Sequence, residues 1–254
     1  MSFTSDAPAV SVRDLTMTFN VAPERFDSAK EWAVALARRK TRFVPFDALS
    51  HVTLDVRQGG SLALVGKNGS GKSTLLKAVA GVYRPTSGAV AVRGRRCPLI
   101  ELGAGFDPEL TAEENVFLSG ALLGYSREFM EDAYAGIMDF AGVARFAAMP
   151  LKNFSSGMYA RLAFAVATAG LVATGEPAVL MADEVLSVGD AAFREKCEDL
   201  MSRLLASGNV TLLFVSHSAP SVLRVCREAA WLDHGRLRMA GPAGEVMAAY
   251  ADAT

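Results

Sequence analysis

Gly66-Lys67-Asn68-Gly69-Ser70-Gly71-Lys72-Ser73 spaces its glycines, a lysine and a hydroxyl as G-x-x-x-x-G-K-S, the pattern of a loop that holds a phosphate chain. Glycine lets the backbone curl until its N–H groups, and the first turn of the helix that follows, point at phosphate oxygens. Lys72 adds a positive charge and Ser73 a hydroxyl able to ligate Mg²⁺. A glycine turn ahead of an ordinary helix is the plainer reading, but the apolar run Leu62–Val65 and the helical stretch Thr74–Ala80 supply the context the chemistry needs. Val179-Leu180-Met181-Ala182-Asp183-Glu184 is an apolar strand ending in two carboxylates, at the edge where α/β sheets place their ligands. Asp183 can hold Mg²⁺ through water, and Glu184 can orient or deprotonate an attacking water, although in isolation the pair also reads as a solvated acidic turn.

Phe214-Val215-Ser216-His217 ends another β-rich run with an imidazole able to donate to a γ-phosphate, where a loop histidine is otherwise an ordinary hydrogen-bonding residue. Asn153-Phe154-Ser155-Ser156-Gly157-Met158-Tyr159-Ala160-Arg161 opens an alanine-rich helix. Small residues there make a second phosphate-binding end, or simply a helix cap. With one complete cradle already in the chain, a second anion site makes sense if it closes over the nucleotide of another copy.

The elements that must position these residues follow from periodicity. Val10, Val12, Leu15, Met17 and Phe19 mark a strand from Ala9 to Phe19. Asp27 to Lys40 reads as a helix with Asp27 or Ser28 as N-cap, Glu31 near its start and Arg38, Arg39 and Lys40 at its end. From His51 the order is strand, turn, strand, glycine loop, helix, with further strands at Ala89–Val92 and Cys97–Leu102. Pro108 to Ala173 is helical in period, with loops near Gly124, Gly142 and Met149–Phe154. Thereafter come the strand Ala178–Ala182, the helix Ala191–Ala206, the strand Val210–Val215, a helix at Pro220–Arg227 and a hairpin at Ala230–Leu237. Strands alternating with helices imply a mostly parallel sheet covered on both faces.

The 254 residues carry 26 Lys and Arg against 27 Asp and Glu, a balance that does not suit a protein whose main task is coating nucleic acid. Cys97, Cys197 and Cys226 show no metal-ligand spacing, which fits a reducing compartment. The N-terminus has neither a basic nor an apolar signal region, and the longest uncharged stretch, Leu162–Gly175, falls short of the ~20 apolar residues that span a bilayer. Any action at a membrane is therefore expected to go through a partner.

The glycine loop, the SSGM segment, the Asp183-Glu184 pair, Ser187-Val188-Gly189-Asp190 and His217 occur in the order of ATP-binding cassette (ABC) proteins, and the chain resembles that family over nearly its whole length. The resemblance implies an α/β fold of the P-loop NTPase class, an ABC-type nucleotide-binding domain with a mostly parallel core sheet, an antiparallel β portion and an inserted helical lobe. One domain is implied over residues 1–254, with a basic inserted helix at about 20–45 and a helical subdomain at about 106–172. ATP and Mg²⁺ are the implied cofactors. Gly66, Asn68, Gly69, Ser70, Gly71, Lys72, Ser73 and Thr74 become nucleotide contacts, Ser73 and Asp183 metal residues, Glu184 the base and His217 the switch histidine. Ser155, Ser156, Gly157 and Asp190 would meet the nucleotide of a second copy packed head to tail. Phe19, at the end of the first strand, is the expected adenine-stacking aromatic, with Phe43 and Phe46 as the other candidates.

Phe154-Ser155-Ser156-Gly157-Met158, Leu99 to Thr111 in place of the usual glutamine loop, and Glu184 to Phe193 narrow the likeness to the ATPase subunits of exporters for lipid-linked polysaccharide, the O-antigen and teichoic-acid transporters. Glu101 takes the place of the usual glutamine and is the metal or water candidate there. These features lead us to expect an integral membrane permease as partner, likewise in two copies, lipid-linked glycan as the indirect cargo, no nucleic acid, and a peripheral position on the cytoplasmic face of the inner membrane. Trp32 and Leu36 share a face of the basic helix, and Arg38, Arg39, Lys40 and Arg42 crowd its far end, as in a gate helix at a membrane surface. Some relatives carry a carbohydrate-binding domain beyond the cassette, and none is expected after Thr254. Two rival readings are a soluble ABC ATPase acting on nucleic acid or the ribosome, and a nucleotide-binding regulator that does not hydrolyse.

Overall fold

The alternation that announces the first strand slips once, between Val12 and Leu15, and a bulge accounts for it. In the computed structural model, which describes residues 7–21, 43–99, 103–183, 190–216 and 218–253, strand β1 (Pro8–Val21) pairs antiparallel with β2 (Val44–Arg57), with a register shift at Val12/Leu15. Asp14 takes φ 47° there and faces His51 at φ 55°, their Oδ1 and Nδ1 atoms 2.8 Å apart. The extra residue returns Leu15 to the inner face, where it is fully buried with Val10 and Val12. β2 starts seven residues before the strand expected from His51. Its first residues, Val44 to Asp47, are exposed on an edge strand, which tolerates Pro45 and shows no alternation.

A three-stranded antiparallel sheet is completed by β4 (Ser87–Val92), in the order β2-β1-β4. The larger sheet has the order β5-β6-β7-β3-β8-β9, built from β3 (Ser61–Val65), β5 (Arg95–Leu99), β6 (Ala178–Asp183), β7 (Val210–Val215), β8 (Glu228–Asp233) and β9 (Arg236–Pro242). Only the hairpin strand β9 runs antiparallel, after a two-residue turn in which His234 and Gly235 both have positive φ. The central strands read as unbroken apolar runs because both faces are covered. Ala63, Leu180, Leu212 and Phe214 enter one core; Leu64, Val179, Met181 and Leu213 enter the other, which is closed by the small sheet and by helix α1 (Lys72–Ala80). The mostly parallel sheet expected from the sequence is thus observed, with its antiparallel portion.

Three helices, α2 (Ala112–Leu122), α3 (Arg127–Ala141) and α4 (Ser156–Thr174), share a separate core around Val116, Met130, Ile137 and Leu162. α2 opens with a capping box: Thr111 accepts from the Glu114 amide, while the Thr111 amide and hydroxyl donate to the Glu114 carboxylate and hold it below its ordinary range. Fully buried Asn115 braces the approach to this helix, accepting from the Asp107 amide and donating to the carbonyls of Asp107, Leu110 and Thr111. Helices α5 (Ala191–Ala206), α6 (Ala219–Val225) and α7 (Ala243–Asp252) cover the first core. The three cysteines are free and buried, and burial pushes the thiols of Cys197 and Cys226 up to about 12. Among the described residues no helix is long and apolar enough to cross a membrane. The expected basic helix, Asp27–Lys40, lies outside the described residues.

The helical lobe is tied to the sheet edge at one point that permits a test. Arg95, opening β5, stacks on Tyr125 at 4.3 Å and donates to the Leu123 carbonyl at 2.6 Å. Tyr125 in turn lies against α4 where Gly170 leaves room, since a Cβ there would stand 2.0 Å from the phenol oxygen. Gly170→Ala would gain ~1 kcal/mol of helix propensity, yet overpacking a stiff ring costs about 1–3 kcal/mol. We expect the steric cost to prevail and the melting temperature to fall by a few degrees. An unchanged or raised melting temperature would refute the wedge.

Candidate active site

The parallel strands bring their C-terminal ends to one edge of the sheet, and the chemical residues are there because the chain leaves the strands there. β3 runs into the glycine loop, and the loop runs into α1 with Gly71 as N-cap at φ 101°. A Cβ on Gly71 would meet the Ala48 carbonyl at 2.6 Å, and one on Gly66 (φ 146°) the Leu232 carbonyl at 2.2 Å, so both positions demand glycine for conformation and for space. Lys72 is buried, and its ammonium donates to the carbonyls of Gly66 at 2.8 Å and Lys67 at 2.9 Å, which holds the charge across the loop.

A cavity of about 500 Å³ opens above this loop. Asn68, Gly69, Gly71, Lys72, Ser73 and Thr74 line one side and Asp183 with Val215 another, while Phe46 and Ala48 form the apolar side. Asp183 and Val215 are register partners at the ends of β6 and β7, which is how a carboxylate remote in sequence arrives beside Ser73. Two of the expected contacts sit behind the lining: Gly66 through its carbonyl to Lys72, and Ser70, whose buried hydroxyl has no hydrogen-bond partner among the described residues.

Phe19 does not line the cavity; its ring packs edge-on against Tyr83 at 5.4 Å, beside the core under the small sheet. Phe46, its register partner on β2, lines the cavity instead. Antiparallel partners share a sheet face, so sequence order could not say which of the two meets the core and which the cavity. Glu101, Glu184 and His217 lie outside the described residues.

Ser155 caps α4, its hydroxyl accepting from the Met158 amide at 3.2 Å, and Asp190 caps α5, accepting from the Phe193 amide at 2.9 Å. The two helix starts frame a second concavity of about 530 Å³, lined by Ser155, Ser156, Gly157 and Asp190 together with Met158, Ala160 and Arg161. It shares no lining residue with the first. Within one chain, therefore, the structure gathers the glycine loop with Asp183, and separately the α4 start with Asp190. Tyr159, one turn into α4, donates from its hydroxyl to the Gly103 carbonyl at 3.1 Å and stacks edge-on with Phe106. Its contact with the loop that follows β5 was not apparent from sequence, since a tyrosine in an apolar helix carries no mark of its partner.

The profile of the family described as ABC transporter matches residues 49–187, more than half of the chain. The chain belongs to the ABC transporter family. Among curated relatives of this ABC transporter chain, "ABC transporter protein AbcA" of Aeromonas salmonicida is 43% identical over 205 residues, covering 81% of this chain and 65% of the relative. The "O-antigen export system ATP-binding protein RfbB" of Klebsiella pneumoniae is 40% identical over 206 residues, covering 81% of each. The "Teichoic acids export ATP-binding protein TagH" of Bacillus anthracis is 37% identical over 203 residues, 80% of this chain but 36% of the relative. Among solved structures, the dimeric post-hydrolysis state of the ATP-binding cassette MJ0796 bound to ADP and Pi superposes with a TM-score of 0.72 at 22% identity, covering 92% of this chain and 98% of that one. At that identity the likeness speaks for the ABC cassette fold.

Proposed function

We propose that the chain is the ATP-hydrolysing subunit of an ABC exporter that moves lipid-linked polysaccharide, O-antigen, teichoic acid or a similar envelope glycan, across the cytoplasmic membrane. The observation that carries the ATPase reading is the joining of Lys72, Ser73 and Asp183 in one cavity, with the helix start of Ser155 to Gly157 lining another. In this reading the triphosphate lies on the glycine loop with Lys72 at its β- and γ-oxygens, and the base stacks on Phe46. Ser155 and Gly157 of a second copy, packed head to tail, reach the γ-phosphate from the other side. The two separate concavities suit this, because each chain then supplies both halves to different nucleotides.

The donor set fits Mg²⁺. Ser73 and Asp183 are hard oxygen ligands on the same cavity, and among the described residues no three His, Cys, Asp or Glu side chains gather to hold a metal by themselves. Such sparse protein ligation suits an ion that keeps waters and binds substrate phosphates. When bound, it would neutralise developing phosphate charge. Glu184 takes a proton from water as the water oxygen bonds to Pγ, the Pγ–O bond to ADP breaks, and His217 donates to the γ-phosphate.

The O-antigen and teichoic-acid names of relatives at 37–40% identity support export over action on nucleic acid or the ribosome. In this reading the chain lies peripherally on the cytoplasmic face, bound to an integral membrane permease. Its dock would be the groove of about 470 Å³ on the helical lobe, with Phe117, Tyr125 and Met130 inside and Glu113 at the rim. The Tyr159 contact to the Gly103–Phe106 loop links that lobe to the α4 start.

Glu184→Gln provides the test. Removing the base should cut turnover at least ~100-fold while ATP, undigested, holds two chains together in size-exclusion chromatography. Turnover at the wild-type rate would remove Glu184 from the role of base. Co-purification of the wild-type chain with a membrane protein encoded beside it is the expected sign of the exporter; stimulation by nucleic acid instead would favour the soluble alternative.

A further inference from the structure

Arg161 is an expensive residue for its position. It lies on α4 one turn past Gly157, its side chain is only 24% exposed, and its Nε is buried with no hydrogen-bond partner among the described residues. Asp190 Oδ2 is 3.8 Å from its Nη1, too far for a hydrogen bond, and its guanidinium carbon is 6.0 Å from the Phe193 ring centroid. A mostly buried guanidinium with an unpaired Nε adds little to the stability of a fold, and an apolar side chain of similar length is commonly as good or better. The side chain therefore calls for a reason other than packing.

Its surroundings supply one. Among the described residues Asp190 is held from one side: Oδ1 accepts from the Phe193 amide, and Phe193 is fixed in the core against Phe140 and Phe164, the latter on α4. Oδ2 is thereby turned toward Arg161, and both residues line the concavity of Ser155 and Gly157. We propose that Arg161 is a positioning residue of the second half-site: its guanidinium holds the Asp190 carboxylate at a set distance from the Ser155–Gly157 end, so that the two helix starts meet the partner's nucleotide as one surface. Arginine suits this because its planar fork can hold a carboxylate in orientation as well as in distance. The inference rests on the two-copy ATPase reading above and adds to it a residue that touches no nucleotide.

Three variants in the full chain test it. Arg161→Met removes the charge and keeps the apolar stem; Arg161→Lys keeps the charge without the fork; Asp190→Asn keeps a good helix cap without the carboxylate. Turnover, KM and melting temperature are measured for each, and ATP-driven pairing is measured on the Glu184→Gln background. We expect Arg161→Met to melt no lower than wild type, to lose at least tenfold in kcat with KM within about twofold, and to pair poorly. Arg161→Lys should recover part of the loss. Asp190→Asn should reproduce the loss, and the double variant should be no worse than the worse single one. Wild-type kcat in Arg161→Met, a loss that tracks melting temperature, or losses that multiply in the double variant would each overturn the proposal while leaving the ATPase reading intact. A wild-type chain that neither hydrolyses ATP nor pairs with it overturns both.

Discussion

Gly157→Asp is expected to abolish ATP turnover while leaving the chain as stable as before. A Cβ at Gly157 meets nothing within 4 Å in the folded chain, so the position has room for a side chain to begin. The position is in the first turn of α4, where a carboxylate complements the helix dipole by ~0.3–1 kcal/mol, and glycine is itself a poor helix former. Both terms push the melting temperature level or upward. If the nucleotide of a second copy sits over this end, however, the carboxylate faces the γ-phosphate. Two unit charges ~4 Å apart repel by about 4 kcal/mol at the effective dielectric of a protein surface, which corresponds to roughly a thousandfold in the closed state. Turnover should fall by at least ~100-fold, while a single chain still binds a fluorescent ATP analogue at the glycine loop. Wild-type turnover in a normally folded variant would show that no phosphate approaches α4.

Lys72→Met should have the other large effect, and by a different route. The ammonium is buried between the carbonyls of Gly66 and Lys67, at 2.8 and 2.9 Å, and stands where the loop would present it to phosphate oxygens. Methionine keeps the unbranched stem as far as Cε and removes a desolvated charge along with two charge-assisted hydrogen bonds, so the net change in fold stability should be small. Losing a preorganised cation from the transition state costs on the order of 10²–10³ in kcat. Here nucleotide affinity should fall together with turnover, whereas in Gly157→Asp the single-chain affinity survives. Measuring both quantities in both variants separates the half-site on the loop from the half-site on α4. Turnover within threefold of wild type in Lys72→Met would contradict the placement of the phosphate chain.

Much of this arrangement is local in sequence. The glycine loop is legible because the same eight residues make the turn, the cradle and the start of α1, and the strand and helix beside them show their own periodicity. Ser155 and Asp190 are legible as helix starts for the same reason, since a cap involves residues only three apart. Even the bulge in β1 left a trace, the displaced phase of Leu15.

Contacts between elements left none. Which aromatic meets the cavity depended on the pairing of Phe19 with Phe46 and on Tyr83 claiming one of the two. The need for glycine at position 170 arises from a ring forty-five positions earlier, held by Arg95 from yet another strand. Arg161 was visible only as part of a motif, and its half-met charge beside Asp190 became apparent once α4 and α5 were packed. The amino-acid sequence by itself determined the phosphate chemistry and the order of the elements, because caps, turns and hydrophobic period are short-range consequences of residue type. The tertiary structure decided which of these pieces face one another, and that two of them stay apart in a single chain, because sheet register and helix packing join residues whose separation along the chain carries no information about their distance.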